Sequence, residues 1–281
     1  MSEHQDNKTV LIIDTSYTIF YRFHATKRWY SFAHKEDYKT CEHFFLDEVF
    51  KAKYKKLFIS MFTPLFKKYN SDYNHLIFAI DCPRSQIWRH QYVEQYKGTR
   101  VRQKGDEVIG DFFKYTYQVI IPEIMKKYQT KKIKYDTLEG DDCIYIAKQI
   151  IREKRPNQRI VIIGSDHDLM QLLDPTSNKL TDIITLKGKS LQDKSCGDSR
   201  KDLEIKIIIG DKSDNINGCF PKCGYKTALK LVNNPDLLEK KFNTHMGSRE
   251  LYERNKKIIA FKHIPTDLYE QCYIQYKDIL I

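Results

Sequence analysis

Residues 159–170 read "RIVIIGSDHDLM". Four apolar residues in a row, Ile160-Val161-Ile162-Ile163, meet a Gly-Ser turn and then two aspartates, Asp166 and Asp168. A run apolar at every position, rather than at every second one, suits a strand buried on both faces. Two other runs have the same form: Thr9-Val10-Leu11-Ile12-Ile13 ending at Asp14, and His75-Leu76-Ile77-Phe78-Ala79-Ile80 ending at Asp81. Helical patterns lie between them, over roughly 42–69, 107–128 and 140–154. Strand alternating with helix predicts an α/β fold, a mostly parallel central sheet flanked by helices. Ligand sites in such sheets lie beyond the carboxyl ends of the strands, so Asp14, Asp81, Asp166 and Asp168 are expected on one rim. A single strand-end Asp is commonly a helix N-cap; several reaching one edge point to a site.

The stretch "LEGDDCIYIA" (138–147) opens the next helix on that rim with Glu139, Asp141 and Asp142. Ionised carboxylates this close repel and resist burial. A helix N-terminus offers each about 0.3–1 kcal/mol, so a stronger positive partner is expected. Further on, "LEIKIIIGDKSDNINGCFPKCGYKTALKLV" (203–232) supplies Asp211 and Asp214, then a hairpin over 221–228. Gly224 permits positive φ there, and the following helix offers free N–H groups to a phosphate.

The chain of 281 residues carries 48 Lys+Arg against 37 Asp+Glu, a net charge of +11. Setting aside the nine acids named leaves 28 against 48 bases, a strongly basic body around one acidic pocket. That balance suits a polyanion, most often nucleic acid, which the pocket would repel unless cations filled it. The acid set contains only oxygen donors, which suits Mg²⁺ or Mn²⁺ rather than zinc. Nine carboxylates exceed the needs of one Mg²⁺ and predict two ions, the arrangement that hydrolyses phosphodiesters. Residues 97–106, "KGTRVRQKGD", form a basic, turn-rich loop or arch carrying Lys97, Arg100, Arg102 and Lys104. Part of 24–56 is expected to be a surface insertion. Seven scattered cysteines, no leader-like start and no apolar run near the roughly 20 residues of a bilayer span predict reduced thiols, an intracellular setting and no membrane. Cys219 and Cys223 lack the second Cys/His pair of a zinc site.

The segments "LIIDTSY", "FAIDCPRS" with Trp88-Arg89, "EQYKGTR", "LEGDDCIYIAK", "IIGSDHDLMQLL" and the 203–232 stretch, in this order, resemble the structure-specific 5′ nucleases: flap endonucleases and the 5′–3′ exonuclease domain of bacterial DNA polymerase I with its phage relatives. The likeness covers about 10–233. It implies a PIN-like core over 1–198 with an arch at about 97–128, and a helical duplex-binding region over 199–281 with a helix-hairpin-helix-like motif. Asp14, Asp81, Glu139 and Asp141, with Asp142 adjoining, would bind one ion; Asp166, Asp168, Asp211 and Asp214 would hold the second. Lys97 and Arg100 would contact the scissile phosphate and Tyr96 would stack on a nucleotide. Arg84 and Arg89, with Arg102 and Lys104 of the arch, would contact DNA. Lys222 and Lys226 would touch duplex phosphates. The resemblance also raises a K⁺ held by turn carbonyls near Gly224, where this sequence has Lys222 and Cys223 in a Pro-Gly-x-Gly frame. With no polymerase segment following and no clear sliding-clamp peptide, a stand-alone monomeric nuclease is expected, acting on branched or 5′-ended DNA in replication, repair or recombination. An RNA-containing 5′ strand stays open, and the Lys/Ile/Tyr-rich composition raises a viral replication site. The rival expectations are a PIN-like ribonuclease and a branched-DNA-binding protein without catalysis.

Overall fold

The computed structural model describes residues 8–98, 106–174 and 179–281, so Arg100, Arg102 and Lys104 lie outside the described residues. Among them are five strands: β1 (Val10–Asp14), β2 (Leu76–Ala79), β3 (Lys131–Ile133), β4 (Ile160–Ile163) and β5 (Thr181–Ile184). Their order is β3-β2-β1-β4-β5, and every neighbouring pair is parallel. In register, Ile12 stands between Ile77 and Ile162. The chain winds outward from β1 through β2 to β3 and then returns to β4 on the other side of β1. The crevice beyond β1 and β4 is therefore the topological switch point, where open parallel sheets bind ligands.

Continuous apolarity has the expected outcome, both faces of the sheet buried. Val10, Ile12, Ile77, Ala79, Ile160 and Ile162 pack on one side against α7 (Gly140–Lys154) and α12 (Thr266–Tyr276). Leu11, Ile13, Leu76, Phe78, Val161 and Ile163 pack on the other, against an aromatic-rich layer from α1 (Thr15–Ala33), α3 (Glu48–Ser60), α4 (Phe62–Tyr69), α5 (Asp106–Tyr115) and α6 (Ile121–Lys127). The outer strands β3 and β5 were not legible, because Lys131, Lys132 and Asp182 interrupt their apolarity. Such charges blunt an exposed sheet edge.

The expected insertion within 24–56 does not extend to its first third. Helix α1 runs unbroken to Ala33 and buries Phe23, Thr26 and Tyr30, and α2 (Lys35–Thr40) follows. The pattern over 42–69 resolves into α3, started by Asp47 accepting from the Phe50 N–H at 2.8 Å, and α4. The pattern over 107–128 is α5, a wide π-turn over Thr116–Ile120, and α6. Pro122 cannot donate one turn back, and the wide turn falls where that bond is missing.

Beyond residue 198 come α8 (Ser199–Ile209), a tight turn over Lys212–Asp214, then α9 (Tyr225–Val232), α10 (Pro235–Thr244) and α11 (Ser248–Ile259). Helix α12 returns to the sheet layer: Cys272, Tyr276 and Leu280 join the core beneath β1, β2 and β4, and the Tyr276 hydroxyl donates to the Lys134 carbonyl at 2.9 Å. All seven cysteines are thiols. Among the described residues no helix is long and apolar enough to cross a membrane.

Candidate active site

Asp14 closes β1 and caps α1, accepting from the Tyr17 N–H at 2.9 Å. Asp81 lies just past β2. The Ser16 hydroxyl and the Gly140 N–H (2.6 Å) donate to its two oxygens. Gly140 favours this approach, since a Cβ there would stand 3.1 Å from Asp81 Oδ1 and press the carboxylate back by a few tenths of an ångström. Asp166 caps the turn after β4, accepting from the Asp168 N–H at 2.9 Å. Helix α7 begins at Glu139 and points its first turn at the same rim. The capping role of a strand-end Asp and its place in a site thus coincide.

The positive partner of the 138–147 acids is Arg89. Its guanidinium is buried and forks onto Asp142, with Nη1 2.7 Å from Oδ2 and Nη2 2.7 Å from Oδ1. Nη1 also donates to Glu139 Oε2 at 2.8 Å and Nε to the Ile258 carbonyl at 2.7 Å. Asp142, fully buried, further accepts from Trp88 Nε1 (2.9 Å) and the Glu139 N–H (3.1 Å). Two expectations are corrected here. Asp142 is turned into the core with both oxygens committed, so it is no metal ligand of the rim; and Arg89 is the internal counterion of the acids, so it is not on a DNA-facing surface. A third correction concerns Tyr96. It is buried, with its hydroxyl 3.0 Å from Glu139 Oε2 and 3.1 Å from Asp214 Oδ2, and has no ring face free to stack on a nucleotide.

Lys97 adopts left-handed backbone (φ 55°), and its N–H bonds the Asp214 carbonyl at 3.0 Å. A non-glycine residue there is strained by about 1–2 kcal/mol. The turn aims its ammonium at Glu139, with Asp214 Oδ2 3.8 Å away. Across the rim, Lys206 of α8 places its ammonium 2.7 Å from Asp168 Oδ1 and 2.6 Å from Asp211 Oδ2. Asp211 is also held by the Ser213 N–H and hydroxyl, both at 2.7 Å.

Charge balance is uneven across these groups. Burial works to raise Glu139, but Arg89 and Lys97 hold it below the ordinary carboxylate range. Burial likewise works against Asp211, and Lys206 brings it down to about 2. Burial and the neighbouring Asp81 and Asp166 raise Asp14 to about 7. Burial, Asp166 and Asp14 push Asp141 well up. Burial, then Asp166 against the pull of Lys206, raises Asp168 to about 6. The Lys206 ammonium is disfavoured by burial, yet Asp168 and Asp211 carry it above its usual value.

The acids pushed upward are Asp14, Asp141 and Asp168, and an all-oxygen set of this kind suits hard divalent cations. Asp168 Oδ1 is buried without a directed hydrogen bond, despite the nearby ammonium. A cavity of about 20 Å³ lies among Lys97, Glu139, Asp141, Asp166, Asp168 and Asp214, roughly the room one water-sized body needs. Among the described residues no three of the carboxylates close on one point as a finished cage. The ammonium groups of Lys97 and Lys206 sit between them as stand-in cations.

Three groups at the site were not read from the sequence. The π-turn places the Tyr117 hydroxyl 3.1 Å from Ser16 Oγ, which bonds Asp81. One turn on from Ser16 and one turn back from Tyr117, Phe20, 44% exposed, meets Phe113 edge-on with ring centres 5.1 Å apart. Lys206 is the third. Arg84, Lys222 and Lys226 are exposed. Lys222 takes left-handed backbone (φ 53°), the position where the family frame has glycine.

A doubly wound parallel sheet whose switch point gathers acids from three strand ends and a helix start defines an acid-rimmed α/β domain of the nuclease kind. The chain belongs to the 5′-3′ exonuclease family, whose N-terminal resolvase-like domain matches residues 9–197. DNA polymerase I of Bacillus caldotenax is 29% identical over 164 residues, which is 56% of this chain and 17% of that protein. A 5′-3′ exonuclease of Buchnera aphidicola is 29% identical over 203 residues, 70% of this chain and 66% of that protein. Ribonuclease H of phage T4 is 28% identical over 213 residues, 70% and 67% of the two chains. The chain thus spans about a sixth of the polymerase and just under two thirds of the Buchnera exonuclease. The fold is that of the T5 5′-exonuclease, solved with divalent zinc ions bound: TM-score 0.70 at 17% identity, covering 98% of this chain and all of that one.

Proposed function

We propose that the protein is a divalent-metal-dependent, structure-specific 5′ nuclease that hydrolyses DNA phosphodiesters near junctions of duplex and single strand, in replication, repair or recombination. The observation that carries this reading is geometric: Asp14, Asp81 and Asp166 at three strand ends and Glu139 and Asp141 at the start of α7 converge on one rim, within a chain of net charge +11. Asp14, Asp81, Glu139 and Asp141 would hold one ion and Asp166, Asp168, Asp211 and Asp214 the other. Mg²⁺ is the expected species and Mn²⁺ its substitute. Bound there, such cations supply Lewis-acid stabilisation of phosphodiester oxygens and acidify an attacking water. Among solved structures of this fold, the T5 5′-exonuclease holds divalent zinc ions, and the T5 D15 flap endonuclease is known as a pseudo-enzyme–product complex with DNA and metal ions.

The chain's own groups divide the remaining work. Lys97, freed from Glu139, points its ammonium to where the scissile phosphate would lie and offsets charge developing there. Arg100, beyond the described residues, is proposed as its partner at the arch base, with Arg102 and Lys104 in the arch. With Tyr96 buried, the exposed ring of Phe20 is the better platform for a splayed base. Arg84 on the rim, and Lys222 and Lys226 around the 221–226 turn, would grip duplex phosphates without reading sequence. Residues 199–281 are proposed as the duplex-binding region, with K⁺ at the turn carbonyls near Gly224 as its finer detail. A monomer acting inside a cell, or at a viral replication site, completes the proposal.

The T4 relative named ribonuclease H favours RNA-containing 5′ strands as a second substrate. One gel separates the readings: a 5′-labelled flap, a nicked duplex, an RNA–DNA flap and single-stranded RNA, each with Mg²⁺ and with EDTA. Cuts near the flap junction with Mg²⁺ alone support the proposal. Cutting only of single-stranded RNA would replace it with the ribonuclease reading, and binding of the flap without cleavage by the inactive one.

A further inference from the structure

Lys206 has two carboxylates at hydrogen-bonding distance, Asp168 Oδ1 at 2.7 Å and Asp211 Oδ2 at 2.6 Å, and both belong to the proposed second-ion set. Its stem leaves the last turn of α8, so the ammonium is tethered rather than diffusing. Beside it opens a cavity of about 240 Å³, whose walls include Met170, Leu203 and Ile209 and whose polar lining includes Asp168, Asp202 and Lys206. Asp202 lies one turn before Lys206 on the same helix, with the acid N-terminal to the base, the favourable order for an i,i+4 ion pair. Its carboxylate accepts from the Cys196 N–H (3.0 Å) and the Ser195 hydroxyl and keeps lone pairs for another donor.

We infer that Lys206 is a built-in competitor for the second divalent ion: its ammonium occupies the Asp168–Asp211 pair, and the ion enters only when Lys206 withdraws along α8 into the adjoining cavity toward Asp202. The inference rests on the metal reading above. Lys206 is a positioning residue in this account. It neutralises two acids and fixes their spacing while the ion is away, and it lowers the ion's apparent affinity by the fraction of time it occupies the pair. The first ion, at Asp14, Asp81, Glu139 and Asp141, meets Lys97 at Glu139, whereas Lys206 contacts two acids of the second set, so the two ions should bind with unequal affinity.

The test is Mn²⁺ binding to the purified full chain without DNA, followed by the electron paramagnetic resonance signal of free Mn²⁺, for wild type, Lys206→Met and Lys206→Arg. The inference expects one tighter and one weaker ion in wild type, the weaker one tightened about tenfold or more by Lys206→Met, and little change in Lys206→Arg, which keeps the charge. Circular dichroism melts confirm that each variant is folded; if Lys206→Met does not fold, Lys206→Gln takes its place. Weaker-ion affinity within twofold of wild type in the uncharged variant would overturn the inference while leaving the metal reading intact. Equal tightening in Lys206→Met and Lys206→Arg would overturn charge competition. Absence of Mn²⁺ binding in all three proteins would instead overturn the metal reading itself, and this inference with it.

Discussion

Asp142→Asn separates a core counterion from a metal ligand. Asp142 is fully buried and accepts hydrogen bonds from Trp88 Nε1, both Arg89 terminal nitrogens and the Glu139 N–H. Asparagine keeps the shape but removes the charge, and its amide NH₂ must face a donor whichever way it is turned. Arg89, itself buried, then keeps only Glu139 as a carboxylate partner. Breaking one side of a buried ion pair costs about 3–5 kcal/mol, and bonds to charged groups contribute about 1.5–3 kcal/mol each. A loss of about 4 kcal/mol is expected, on the order of 10 °C in Tm for a chain of this size. The assay is urea unfolding in EDTA, followed by Mn²⁺ titration of the folded variant. Near-wild-type stability in EDTA together with a tenfold or greater loss of Mn²⁺ affinity would refute the reasoning and return Asp142 to the metal set.

Tyr96→Phe should cost about 1–2 kcal/mol, because its hydroxyl lies between two buried carboxylates; unchanged stability with weakened DNA binding would favour stacking. In EDTA, stability should fall as pH rises from about 4.5 to 7: Asp14 and Asp168, raised to about 7 and about 6, keep protons in the fold that the unfolded chain has already lost. The depressed Asp211 and Glu139 act below that window, stabilising as pH rises to about 4, so the two effects separate. The decline should be on the order of a few kcal/mol, shrink in Asp14→Asn and vanish with Mg²⁺; a rise through the window in EDTA would contradict the assigned charge surplus. Lys97→Met should lower turnover by about 10²-fold or more while changing duplex affinity far less, and unchanged turnover would remove Lys97 from the chemistry. DNA affinity should fall steeply with salt, and less steeply in Lys222→Ala/Lys226→Ala; an unaltered slope would place the duplex grip elsewhere.

Strands β1, β2 and β4 were legible because burial on both faces demands apolar residues at every position, and that demand fixed the rim where Asp14, Asp81 and Asp166 meet. The edge strands β3 and β5 are half-covered and tolerate charge, so no such signal marks them. Asp141 and Asp142 show what a motif hides. Adjacent helical residues point about 100° apart, and Asp142 aligns with Ile146 and Ile150 on the buried stripe of α7, whereas Asp141 aligns with the half-buried Tyr145 and Gln149. That spacing was readable and marks Asp142 as the inward acid. Its counterion was not: Arg89 lies 53 positions away, and only the turn after β2 brings it beneath α7. Lys206 was hidden for a related reason. It reads as one of five charged residues on α8, and its partner Asp168 comes from the β4 turn, across the sheet's switch point.

The most direct measurement is the anomalous difference map of crystals grown with Mn²⁺. The account predicts a peak bounded by Asp14, Asp81 and Asp141, a weaker one beside Asp166, Asp168 and Asp211, and Asp142 still clasped by Arg89. A map without density at the rim, with Lys97 and Lys206 still bridging the acids at saturating Mn²⁺, would contradict it.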